Sequence, residues 1–237
     1  MARGPKQLFY RVRRKLYDWS THLGYRYNLE IYNRAFFEGN QQEGVRMAPW
    51  FVPLLQNVFD FHSLIDVGCG TGHYLQYCLN CGIGDVLGLE GSPAAFADLL
   101  VDKRYVVMHD LRLPYTVGRR FDLAISVEVA EHIDKLYASN FIKILCDASD
   151  TVALTAAKPG QGGTAHVNEQ GEEWWVEKFR RFDYGFDSTT TQMLRRGIRQ
   201  AREAGNFVTR WFESNIMVFR RRGSELFPSG GRGDTRA

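Results

Sequence analysis

The string Asp66-Val67-Gly68-Cys69-Gly70-Thr71-Gly72 constrains the fold more than any other feature of this chain. It follows a short apolar run, residues 63–67, and precedes residues 73–81, whose apolar side chains recur at helical spacing. A buried strand that meets clustered glycines and then opens a helix is the turn of a parallel α/β unit. Glycines permit the tight turn and a close approach of backbone, and the helix N-terminus offers free N–H groups to an anion. The pattern repeats downstream. Residues 85–89 are the next strand, and Ser92-Pro93 opens a helix with a cap residue followed by proline. Residues 105–108 and 121–127 are the third and fourth strands, and a helix through 137–146 leads to a fifth, 151–156. Apolar strands alternating with helices predict a parallel sheet covered on both faces, an α/β doubly wound fold.

The rest of the chain is arranged around this unit. Aromatic-rich residues 17–61 read as a helical N-terminal extension packed on the sheet or over the site. A Gly/Gln loop (159–163), a helix (172–182) and a last strand (215–220) with edge-like alternation follow. The expected division is a basic segment at 1–20, a single domain at 21–222 and a disordered tail at 223–237. Apolar residues at 44% and charged residues at 24% exclude a disordered chain, a collagen-like repeat and a coiled coil. No run reaches the ~18 apolar residues of a membrane span. No apolar core follows the basic first ten residues, so a secretory signal is not expected. Four scattered cysteines suit a reducing, cytoplasmic setting better than a disulfide framework. The net charge of +3 conceals a division. Residues 1–20 carry +5 and 220–237 carry +3, leaving −5 for 21–219. The basic ends are either solvated tails or contacts for an anionic partner.

Asp66, two places before the first glycine, narrows the ligand. A dinucleotide would bring a pyrophosphate to this turn, and a carboxylate there repels it. S-adenosyl-L-methionine brings a cationic ammonium and a sulfonium, which an Asp suits. Glu90 ends the second strand and can accept ribose hydroxyls. Asp110, after the third strand, can receive the exocyclic amine of adenine. Any one of these acids alone reads equally as a solvated acid or a helix cap; three at successive strand ends beside a glycine turn point to a nucleotide pocket. Asp66, Gly68, Cys69, Gly70, Gly72, Glu90, Asp110 and Glu128 form the candidate cofactor set.

From residue 63 to 157 the sequence resembles the class I S-adenosylmethionine-dependent methyltransferases, on the glycine turn, Glu90, Asp110 and the fourth strand Phe121-Asp122-Leu123-Ala124-Ile125-Ser126. The resemblance implies a seven-stranded, mostly parallel Rossmann-like sheet with an antiparallel last hairpin that includes residues 215–220. The stretch Lys158-Pro159-Gly160-Gln161-Gly162-Gly163-Thr164-Ala165-His166-Val167-Asn168-Glu169-Gln170, with Trp174-Trp175, resembles a bacterial group of small methyltransferases often assigned to polysaccharide or small-molecule modification.

Glu128, Glu131 and His132 stand at i, i+3 and i+4, so one helical turn would present them on one face. Two carboxylates and an imidazole suit Mg²⁺, Mn²⁺ or Zn²⁺. The string is similar to the Glu-x-x-Glu-His of metal-dependent O-methyltransferases, which include quinone-pathway catechol and small-RNA 3′-end 2′-O enzymes. That resemblance makes His166 the fourth candidate ligand. The alternative reading has no metal: Glu128 seats the cofactor, Glu131 caps a helix, and His132 or His166 is a general base. Cys78-x-x-Cys81 has no second pair, so zinc is not expected and both cysteines should pack. One of Trp174 and Trp175 should face the core and the other an acceptor pocket. Arg195, Arg196, Arg199 and Arg202 form a basic helical face, either solvated or facing a phosphate-bearing acceptor. His22, His62 and His73 belong to no constellation.

The expected function is O-methylation of a hydroxyl on a sugar, glycan or other small polyhydroxylated acceptor. The alternatives are an RNA 2′-O-methyltransferase, against which stands the acidic body without an RNA-binding module, and an inert cofactor-binding interaction subunit.

Overall fold

The computed structural model describes residues 31–224, the side chains of 39–41 excepted. The basic 1–20 segment, His22 and all but the start of the expected tail lie outside these residues. Helix α1 (Arg34–Phe59) is followed by β1 (Ser63–Val67), α2 (His73–Asn80), β2 (Asp85–Glu90), α3 (Pro93–Ala97), β3 (Val106–Met108) and β4 (Leu123–Ser126). Then come α4 (Ala138–Ala148), β5 (Thr151–Thr155), α5 (Glu172–Arg180), β6 (Tyr184–Phe186), α6 (Ser188–Glu203), α7 (Phe212–Asn215) and β7 (Ile216–Arg221). None of the helices described is long and apolar enough to cross a membrane.

The strands form one sheet in the order β3-β2-β1-β4-β5-β7-β6. The first five pair in parallel, and β7 runs antiparallel to both β5 and β6. Successive residues on a strand point to opposite faces, and the central strands bury both sets. Ile65, Ala124, Val152, Leu154, Met217 and Phe219 enter one core, which α4 and α5 complete with Phe141, Leu145, Trp175 and Phe179. Leu64, Leu123, Ile125, Ala153, Ile216 and Val218 enter the other, beneath Phe51 and Leu55 of α1, Leu75 of α2 and Leu194 of α6. Near-continuous apolar runs such as LAIS and TVALT are therefore what a sheet covered on both faces demands.

The expected strands are all present; the first has the expected bounds, the second runs one residue further, the third, fourth and fifth are shorter, and the last is shifted by one residue. The fourth begins at Leu123, because the backbone of Asp122 pairs with side chains instead of a neighbouring strand: its N–H donates to Ser63 Oγ at 2.8 Å and its carbonyl accepts from Ser149 Oγ at 3.1 Å. Two readings are corrected. β7 is not an edge: it lies between β5 and β6 and five of its six residues are buried. Its polar Arg220 looks solvent-directed in sequence, yet it is buried against Asp187, Nε to Oδ2 2.7 Å. The edge is β6, a three-residue strand too short to stand out in the sequence. Cys81 is exposed, while Cys78 is buried; all four cysteines are free.

Candidate active site

The chain crosses over between β1 and β4, where ligands of open α/β sheets bind. A cavity of about 580 Å³ lies at these strand ends, well within the size of a cofactor pocket. Asp66 and the glycine turn line it from β1, Glu90 from β2 and Asp110 from the segment after β3. Glu128, Glu131 and His132 follow β4, and Gln161 and His166 follow β5. The N-terminal segment closes it with Tyr32, Phe36, Phe37 and Met47, as expected for a helical extension over the site.

The turn takes its shape from backbone geometry. Gly68, Gly70 and Gly72 all have positive φ, at 87°, 56° and 89°. A Cβ on Gly68 would collide with the Val129 side chain. The N–H groups of Gly68 and Cys69 donate to Leu89 O, at 2.8 and 3.1 Å, so the turn is tied to the end of β2. Gly70 N–H donates to Glu90 Oε2 at 2.8 Å, and Ser92 N–H to Oε1 at 2.7 Å. Glu90 is thus oriented by the loops it joins. Burial raises its pKa, opposed by these backbone donors.

Asp66 is 1% exposed, and its Oδ2 has no hydrogen-bond partner. Burial, with the nearby Glu90 charge, pushes its pKa up to about 8. An unpaired buried carboxylate oxygen aimed into a cavity fits a cationic ligand group. Asp110 differs from expectation. Both its oxygens are committed to Arg112, with Nη2 to Oδ2 at 2.6 Å and Nε to Oδ1 at 2.9 Å. Burial works against its charge, but the Arg112 guanidinium outweighs this and leaves its pKa below the ordinary value. Asp110 lines the cavity as one half of an ion pair rather than as a free acceptor.

The acidic string after β4 does not form the expected face of a helical turn. Glu128 has φ +53°, and only Ala130–His132 makes a 3-10 turn. Glu128 N–H donates to Thr155 Oγ1 at 2.6 Å, which fixes this kink against β5, and Asn215 Nδ2 donates to Glu128 Oε1 at 3.4 Å. The ligand atoms of Glu131, His132 and His166 lie within 4.8 Å of one another; Glu128 is not part of this group. The expected tetrad is therefore a triad. Glu131 is fully buried, and its carboxylate oxygens make no hydrogen bond of good geometry, although the N–H groups of Glu131 itself and Ala157 and the side chain of Glu128 lie close to them. Burial, then the adjacent Glu128 charge, raises its pKa well above the carboxylate range. His132 and His166 meet edge to face at 5.0 Å between ring centroids, and His166 Nδ1 lies 3.2 Å from Glu169 Oε1.

Three further residues enter the cavity wall or its support without a sequence signal. His73, first residue of α2, lines the cavity with Nε2 3.0 Å from Thr71 Oγ1. Arg112 is 3% exposed and pairs with Asp110. Glu169, 4% exposed, sits beneath the loop after β5. Trp175 is buried in the core, as expected of one of the two tryptophans, but Trp174, expected at an acceptor pocket, packs on Trp175 at 4.8 Å and under Lys178 and is absent from the cavity wall. The basic face of α6 is largely neutralised: Arg195 pairs with Glu172, and Arg199 and Arg202 both pair with Glu213.

The sequence family described as "Methyltransferase domain" matches residues 22–193, well over half of the chain. No curated protein sequence matches it significantly. Among solved structures, the sugar N-methyltransferase KedS8 from Streptoalloteichus sp. is similar at 15% identity and a TM-score of 0.56, covering 79% of this chain and 92% of its own. A TehB-like SAM-dependent methyltransferase from Corynebacterium glutamicum gives 18% and 0.56, covering 80% and 100%. Magnesium protoporphyrin IX methyltransferase (ChlM) from Synechocystis PCC 6803, with bound SAM, gives 17% and 0.52, covering 94% and 100%. These likenesses establish a shared fold. With the family match and the glycine turn at the crossover of its seven-stranded sheet, the chain belongs to the class I S-adenosylmethionine-dependent methyltransferases.

Proposed function

We propose that this methyltransferase acts on a hydroxyl oxygen of a sugar, glycan or other small polyhydroxylated acceptor. The observation that carries the reading is the meeting of His132 and His166 beside Glu131 in the cavity that the glycine turn also lines. Bound S-adenosylmethionine supplies a methyl group on a positively charged sulfur. Asp66 offers its unpaired oxygen to the ammonium of the cofactor, Glu90 its carboxylate to the ribose, and the Asp110–Arg112 pair a polar wall to the adenine. Glu128, held at its kink in the cavity wall, would help to seat the cofactor. A hydroxyl is a poor nucleophile, so removal of its proton as the C–O bond forms and the S–C bond breaks is the step that needs help. His132 or His166 takes that proton. The remaining catalysis is alignment of oxygen, methyl and sulfur by the cavity wall.

The place of Glu131 favours a second form of the same reading. A buried carboxylate whose oxygens lack well-formed hydrogen bonds, beside two imidazoles, fits a divalent cation, and Mg²⁺, Mn²⁺ or Zn²⁺ held by Glu131, His132 and His166 would lower the pKa of the attacking oxygen. Glu128 is left to the cofactor.

The test is a labelled-methyl screen against glycan, polyhydroxylated small-molecule, catechol and RNA pools. Label should enter the first two and be lost in His132→Ala and His166→Ala. Label confined to RNA would overturn the acceptor class. Chelation should abolish turnover and Mn²⁺ or Mg²⁺ restore it; full activity in chelator leaves the histidines as bases without metal.

A further inference from the structure

The loop after β5 is folded around one buried carboxylate. Gly160 N–H donates to Glu169 Oε2 at 2.9 Å, and Gly162 N–H to Oε1 at 2.8 Å. Both glycines have positive φ, 84° and 71°, and this lets two N–H groups of a short loop converge on one side chain. Oε1 also receives His166 Nδ1 at 3.2 Å. The His166 ring lies directly under Gly163, where any Cβ would collide with it. Glu169 is 4% exposed and His166 keeps 10% of its side chain open, on the cavity. Loop, carboxylate and imidazole therefore form one interlocked unit, and Gln161 and Gly162 of that loop are themselves cavity wall.

We propose that Glu169 is a positioning residue that acts through His166. An ionised carboxylate can only accept, so it selects the ring form with the proton on Nδ1. That leaves Nε2, next to Gly163 of the cavity wall, as the basic nitrogen of the ring, ready to take the acceptor's hydroxyl proton or to hold a cation. The same carboxylate pins the glycine loop, so the ring's position and the wall beside the acceptor are set together. Outer partners of this kind orient imidazoles at reactive sites, and their loss lowers activity about 10- to 100-fold. The proposal rests on the reading of His166 as a reacting group.

The experiment is nitrogen-15 NMR of the histidine-labelled, chelator-treated full chain, with the His166 signals assigned by their loss in His166→Asn. At a pH where the ring is neutral, the wild-type protein should show His166 protonated at Nδ1. Glu169→Gln, which keeps the side-chain volume, should shift the proton toward Nε2. It should lower turnover on the responding acceptor pool 10- to 100-fold and leave the S-adenosylhomocysteine Kd within about twofold. A purely structural carboxylate would lower folding and cofactor binding together and would not move the tautomer. Wild-type His166 protonated at Nε2 overturns the proposal without recourse to any variant. Turnover lost in His166→Ala yet retained in Glu169→Gln, with the tautomer unchanged, overturns the positioning role alone. Full turnover in His166→Ala removes the reading of His166 itself, and the proposal with it.

Discussion

Burial and the neighbouring Glu90 charge push the pKa of Asp66 up to about 8, and this makes the ligand-free protein sensitive to pH. A carboxylate whose folded pKa is raised stabilises the fold below its unfolded pKa. That contribution is lost as pH rises from about 4 through its folded value near 8. The cofactor's ammonium favours the ionised form, so binding at pH 7 should release a proton. Calorimetric affinity for S-adenosylhomocysteine should tighten up to about tenfold per pH unit and level off above about pH 8. Asp66→Asn should flatten that profile, weaken binding, and stabilise the empty protein above pH 8; an unchanged pH slope in the variant would remove the ammonium role. Gly68→Ala meets both a positive φ and the Val129 side chain, and should abolish binding, with a loss of at least about 2 kcal/mol in urea unfolding. These residues were legible because the glycine turn is local in sequence. Arg112's capture of Asp110 was not, because opposite charges two residues apart can each face solvent, and only geometry shows that these two meet.

At the scale of elements, strand ends and helix starts decide what reaches the cavity. The kink at Glu128 is set by Thr155 of β5, twenty-seven residues away, so i, i+3, i+4 spacing alone implied a helical face that does not form. The β6–α6–β7 unit shows the same dependence. Asp187 caps α6 through Thr190 N–H at 2.9 Å and also receives Arg220 of β7. Arg220 reaches Thr151 of β5 as well, at 3.1 Å. Asp187→Ala removes the cap and strands a buried guanidinium, so urea unfolding should lose about 3–5 kcal/mol. Asp187→Asn keeps the cap and should fall between the two. If both variants unfold like the wild type, the pair is not integral to the sheet. Such a coupling explains why residues 215–220 show edge-like alternation although the strand is internal: the partner of Arg220 lies thirty-three positions earlier, across a helix.

At the scale of the whole molecule, one sheet separates two cores and its crossover holds the cavity, so cofactor binding and global stability are linked. S-adenosylhomocysteine at a hundredfold excess over its Kd should add about 2.7 kcal/mol, roughly a 5–10 °C rise in Tm by calorimetry. No shift at saturating ligand would show that the cavity is not the binding site. The alternation of short apolar runs with helices determined the doubly wound sheet, because a strand buried on both faces must be apolar throughout. The glycine turn and the acids at three strand ends likewise pointed to the cavity that they line, since both signals are carried by residues close in sequence. Only the tertiary structure decided that Glu131, His132 and His166 form a triad without Glu128, that Trp174 turns from the cavity, and that Glu169 lies behind His166. Their relations depend on how loops from β4 and β5 meet across the top of the sheet, and periodicity along one segment carries no information about a second.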